Sequence, residues 1–127
     1  MTAHTVGVRR VYDEPGPTDG SRVLVDRIWP RGLSKEKAHL NQWCKAVAPS
    51  TDLRKWYAHV PERFEEFTTR YEEELKEPER AAALQSLRDI LREGPVTLLT
   101  ATKNPEISEA TVLAKILTDG STSQPEQ

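Results

Sequence analysis

Arg22-Val23-Leu24-Val25-Asp26-Arg27-Ile28-Trp29-Pro30-Arg31-Gly32 begins as an apolar strand and ends in charge, an indole and a forced turn. A short apolar run bounded by turn formers has the pattern of a buried strand. Asp26, Arg27 and Arg31 crowd the point where such a strand must stop, and packing has no use for them there. The stretch is therefore expected to be a β-strand over 22–27 that opens onto the edge of a pocket.

Upstream, Val6, Val8 and Val11 lie among Arg9 and Arg10 and predict a first strand. Asp13 to Gly20 is dense in turn formers and reads as a loop. Strands joined by so short a loop cannot be parallel neighbours with a helix between them. They are either an antiparallel pair or lie apart in the sheet.

Downstream, Ser34 is placed to cap a turn of helix over Lys35 to Ala38. Residues 40–47 fit either a short strand or a helix, with strand preferred. Ser50 and Asp52 mark a helix start, with Leu53, Trp56 and Tyr57 facing inward. Phe64, Phe67, Tyr71 and Leu75 form one helical stripe. Leu84, Leu87 and Leu91 form another, between Pro78 and Gly94-Pro95. Val96 to Thr100 has the pattern of a strand buried on both faces. Asn104-Pro105 then predicts a capped helix that Gly120 ends, followed by a disordered tail over 121–127.

Helices interleaved with a few buried strands give an α/β layer fold, one domain over 1–120, with a small mixed, mostly parallel sheet flanked by helices. Ligands in open α/β sheets sit beyond the carboxyl ends of strands. That rule nominates two walls, Asp26 to Gly32 and Thr100 to Asn104.

The 127 residues are 36% hydrophobic and 30% charged, with net charge −2. The pI of about 5.9 lacks the basic footprint of a nucleic-acid-binding domain. No apolar run could span a bilayer, and the N-terminus lacks the pattern of a signal peptide. Cys44 is the single cysteine, and a cytoplasmic location is expected.

The strings Val23-Leu24-Val25-Asp26-Arg27-Ile28-Trp29-Pro30-Arg31-Gly32 and Pro49-Ser50-Thr51-Asp52-Leu53-Arg54-Lys55-Trp56 closely resemble the YeaO-like family, domain of unknown function 488. Phe64-x-x-Phe67-x-x-x-Tyr71, Val96-Thr97-Leu98-Leu99 and Lys103-Asn104 agree with it. The resemblance implies a small bacterial or archaeal cytoplasmic α/β protein. It brings no established activity, substrate or cofactor.

The candidate ligand-binding residues are Arg27, Arg31, Ser50, Arg54, Lys103 and Asn104. Arg27 or Arg31 could present a guanidinium fork to a carboxylate or phosphate, oriented by Asp26. Alternatively, Asp26 and Arg27 form a structural ion pair. Gly32 would allow close backbone approach. Ser50 is an N-cap at a helix start, which is also half of an anion site, and Arg54 lies one turn on. His59 either caps a helix end or acts as an acid or base. His59 and Asp26 are the only catalytic candidates. Lys103 is either a solvated charge or a ligand contact, and Asn104 is most simply a cap.

The three histidines are scattered and Cys44 is alone, so no metal spacing appears. No Walker loop or dinucleotide fingerprint is present, and no cofactor is indicated. The acidic run Glu72-Glu73-Glu74 reads as a solvated face. These features point to a pocket for an anionic small molecule, with enzymatic turnover left open. The alternative is a non-catalytic binding or regulatory module with a protein or nucleic-acid partner, nucleic acid being disfavoured by the charge. Oligomeric state is not encoded legibly.

Overall fold

Val96–Thr100 is buried at every position, and it is the strand that the first two strands share. The computed structural model describes residues 4–17 and 19–123, the last five as backbone only. Its strands are β1 (Val6–Arg10), β2 (Ser21–Leu24), β3 (Gln42–Trp43) and β4 (Val96–Thr100). They lie in the order β1-β4-β2-β3. Every pairing is parallel, Val6 opposite Val96 and Val23 opposite both Leu98 and Gln42. The α/β class is as the sequence implies, but among the described residues the sheet has no antiparallel member. The reason is the 11–20 loop, which returns to the starting edge of the sheet and leaves a gap that β4 fills. β1 and β2 are thus strands placed apart.

The ladder of β2 ends at Leu24, sooner than expected. Val25 still donates its N–H to the Leu99 carbonyl at 3.1 Å, and the chain then leaves the sheet at Asp26. Residues 40–47 divide between the two-residue β3 and a 3-10 turn at Lys45–Val47.

The helices are α1 (Lys35–Ala38), α2 (Thr51–Tyr57), α3 (Phe64–Glu74), α4 (Pro78–Glu93) and α5 (Glu109–Ser123). Strand side chains alternate between faces. Val23, Val25, Val96 and Leu98 meet Leu53, Tyr57, Phe67, Tyr71, Leu87 and Leu113 in the main core. Phe67 stacks on Tyr57 with centroids 4.4 Å apart and on Tyr71 at 5.7 Å. The buried Tyr71 hydroxyl donates to the Val47 carbonyl at 2.5 Å.

The opposite face is thinner. Leu24 and Leu99 pack there against Val11 and Ala38, with Trp29, Leu33 and Trp43 alongside. Arg22, 4% exposed, belongs to this face. Its guanidinium donates to Asp19 at 2.7 Å and to the carbonyls of Ala38 and His39. Arg9 donates to the same carboxylate at 3.0 Å. This cluster ties the 11–20 loop and α1 to the sheet.

The last helix departs from expectation. Asn104 makes no side-chain cap, and Pro105–Ile107 forms only a 3-10 turn. Ser108 then restarts the chain, its hydroxyl accepting from the Ala110 N–H at 3.2 Å. α5 begins at Glu109 and runs through Gly120 to Ser123, so the expected break at Gly120 does not occur. Of the expected tail, 121–123 are helical and 124–127 lie outside the described residues. No described helix is long and apolar enough to cross a membrane.

Candidate functional site

The carboxyl ends of β2 and β4 lie side by side, and their continuations diverge. The chain after β2 leads through α1 to β3, while α5, after β4, packs on β4 and β1. Neighbouring strands whose connections leave in opposite directions open a crevice between them. A cavity of about 540 Å³ occupies it. That volume lies within the range of small-molecule sites.

Asp26 fixes the junction. Its carboxylate accepts from the Thr100 hydroxyl and the Ala101 N–H, both at 2.8 Å, and so ties the end of β2 to the end of β4. The Asp26–Arg27 ion pair considered from sequence is not formed. Asp26 has neutral donors, and Arg27 has no salt bridge among the described residues. The loop that follows is held by its indoles. Trp43 Nε1 donates to the Asp26 carbonyl at 2.7 Å and Trp29 Nε1 to the Leu33 carbonyl at 2.6 Å. The two rings meet edge to face at 5.3 Å. Gly32 has φ of +74°, and a Cβ there would meet nothing within 4 Å. It serves a left-handed turn rather than the close approach expected of it.

Arg27, Arg31, Arg54 and His59, four of the nominated residues, line the cavity together with Asp26, and Lys55 joins them. Arg27, Arg31, Lys55 and His59 are exposed and form the mouth, while Arg54 is half-buried. Arg54 Nε is buried without a hydrogen-bond partner. His59 follows Ala58 off the end of α2 with two left-handed residues in succession, φ 49° and 59°. Such conformations in non-glycine residues cost energy and need surrounding structure to hold them.

Three nominated residues lie elsewhere. Ser50 caps α2, accepting from the Leu53 N–H at 3.1 Å, but its own N–H and hydroxyl donate to Glu74 at 2.8 and 2.5 Å. The helix start therefore already holds a carboxylate of this chain, and Glu74 is no member of a solvated face. Lys103 and Asn104 are exposed and outside the cavity lining, although Thr100, Ala101 and Thr102 line it.

The sequence reading missed Glu109. With the helix start displaced to this residue, its side chain falls in the cavity wall next to Asp26 and near Arg54. Burial pushes the Glu109 carboxyl well above the ordinary carboxylate range. Hydrogen bonding to Asp26 and repulsion by its charge push it further, and a backbone bond and Arg54 pull it partly back. Two adjacent carboxyls do not both ionise readily, and here Glu109 is the one whose pKa is pushed up. The buried walls around it are Tyr57, Phe67 and Ser108. Tyr57 donates its hydroxyl to the Ile107 carbonyl at 2.6 Å, and burial with the nearby Glu109 raises its pKa. Cys44 is buried away from this lining, and burial raises its thiol.

The site thus has a cationic mouth and, behind it, two adjacent carboxyls, Asp26 held by neutral donors and Glu109 with its pKa raised. It can receive an anion at the mouth and exchange hydrogen bonds at the carboxyls.

A family model described as "Inactive DUF488-N3 subclade" matches residues 5–127. An uncharacterised protein of Mycobacterium tuberculosis is 52% identical over 112 residues, 88% of this chain and 92% of its own. The uncharacterised protein YeaO of Escherichia coli is 41% identical over 106 residues, 84% of this chain and 90% of its own. No solved structure matches the chain.

Proposed function

The chain belongs to the YeaO-like DUF488 family, and on that premise we propose that it is a small-molecule-binding protein whose pocket takes a carboxylate or phosphate group. The observation that carries this reading is Arg54. It lines a cavity of ligand size among Arg27, Arg31, Lys55 and His59, and its buried Nε has no hydrogen-bond partner among the described residues. A buried donor without an acceptor is costly, and an entering oxyanion would supply one. The description of the subclade as inactive favours binding over turnover.

The test is a thermal-shift series with inorganic phosphate, sulfate and short mono- and dicarboxylates, repeated on Arg54→Met. An anion at about 100 times its Kd stabilises a one-site protein by about 2.7 kcal/mol. At least one anion should raise the melting temperature of the natural chain and leave Arg54→Met unmoved. Equal shifts in both proteins would mean a general salt effect and would sink the reading, as would no shift at all.

A further inference from the structure

The charges in this pocket are sorted. Arg27, Arg31, Lys55 and His59 are exposed at the mouth, with Arg54 half-buried behind them. Asp26 and Glu109, half-buried like Arg54, stand together in the wall beside the buried Tyr57, Phe67, Thr100 and Ser108. A ligand that was only an anion would satisfy the mouth and leave a pair of carboxyls facing it. From this juxtaposition of Arg54 with the Asp26–Glu109 pair, we propose that the ligand is a zwitterion. Its carboxylate or phosphate sits on Arg54, and an ammonium or similar protonated nitrogen sits between Asp26 and Glu109. The inference rests on the anion-binding reading and names the second half of the same ligand.

Three features support it. The Asp26 oxygens take one hydrogen bond each from Thr100 and Ala101, so the carboxylate keeps acceptor capacity for an ammonium that replaces the Glu109 proton. Glu109 has no salt bridge among the described residues. The cavity, at about 540 Å³, has room for two charged ends on a short chain.

At a pH where the raised Glu109 carboxyl is protonated, that proton has a defined fate. The charged and titratable groups around its carboxyl are Asp26, Arg54, Tyr57 and Tyr71. When an ammonium arrives between the carboxyls, its positive charge favours the ionised form of Glu109, and that proton leaves to solvent. The ligand enters with its own N–H protons intact, so binding releases up to one proton. An anion without an ammonium releases none by this route.

The experiment is calorimetric titration with ω-amino carboxylates and ω-aminoalkyl phosphates of increasing chain length. Each is compared with the matching simple anion and the matching amine. The measurements run in two buffers of different ionisation enthalpy, so that released protons are counted. At least one zwitterion should bind about tenfold or more tighter than its matching anion, with proton release that the anion lacks. Glu109→Gln should lose that advantage and the proton release while keeping affinity for the simple anion. Counting protons on the natural chain keeps the proposal testable should Glu109→Gln fail to fold. If simple anions bind through Arg54 but no zwitterion gains, the inference fails and the anion-binding reading stands. If neither class binds, both fail.

Discussion

Replacing Arg54 with Met should stabilise the free protein while removing its response to anions. Arg54 Nε is buried with no partner, and no side-chain hydrogen bond or salt bridge holds the guanidinium among the described residues. A buried donor left unsatisfied costs roughly 1–3 kcal/mol. Because Arg54 is only half-buried, its outer nitrogens reach water, and the lower end of that range applies. Met keeps most of the apolar stem. The variant should therefore gain about 1 kcal/mol, near 4 °C in melting temperature for a chain of this size. The bound state moves the other way. A charge-assisted hydrogen bond contributes about 1.5–3 kcal/mol, so anion affinity should fall by roughly 10- to 150-fold. The assay is a paired melt, with and without the best anion, at a pH low enough for Glu109 to keep its proton and offer no counter-charge. A fall of several degrees in the unliganded variant would refute this reasoning. Arg54 would then be a cation that holds the fold.

Arg31→Met should weaken anion binding without lowering the unliganded melting temperature, whereas Lys103→Met, outside the cavity, should change neither; anion titration of both variants checks this. Asp19→Ala should cost about 3–5 kcal/mol in urea unfolding, because it strands the buried Arg22 cation. The Gly16 N–H, Arg22 and Arg9 hold the Asp19 carboxyl below its ordinary value against the opposing effect of burial. The contribution of Asp19 is thus present above the unfolded pKa and lost as pH falls through the folded one, a slope the Ala variant should lack. Glu109 has the opposite sign: its raised pKa favours the fold below the ordinary carboxylate range, and that contribution is lost as pH rises through the folded value. Glu109→Gln should therefore gain on the natural chain as pH increases, and parallel urea midpoints across pH would disprove it. Tyr71→Phe should cost roughly 1–3 kcal/mol by chemical denaturation, since the buried Val47 carbonyl loses its partner.

What sequence made legible was whatever local pattern controls. The Asp26–Gly32 wall could be seen because charge and a forced turn at the end of an apolar strand have no packing role. Arg54 followed from helix spacing, and His59 from its place near a helix end. Ser50 was correctly a cap, but nothing local says that Glu74, on another helix, occupies its donors. Lys103 and Asn104 were nominated because they follow a buried strand at its carboxyl end, with Asn-Pro read as the helix start that would hold them there. The real start lies at Ser108, and the intervening 3-10 turn carries both residues away from the cavity. The same displacement hid Glu109. A Ser followed by an acid ahead of Ala110 and Leu113 was the available signal, and the stronger-looking Asn-Pro masked it. The parallel order of the sheet depends on which distant strand fills a gap, and no window of sequence holds that information.

The place of β4 has a consequence for how the chain reaches this structure. β1 and β2 never touch as partners; each pairs with Val96–Thr100, near the other end of the sequence. During synthesis, Val23, Leu24 and Val25 emerge long before the strand that covers their edge. Pairing this distant is slow, because loop-closure entropy is lost before any contact repays it. Helices α2 to α4 can gather locally in the meantime, but the sheet forms only when its central strand arrives last and inserts. Until then β2 keeps an uncovered apolar edge. An unpaired apolar strand edge is aggregation-prone surface, and here the last strand to be made is the one that covers it.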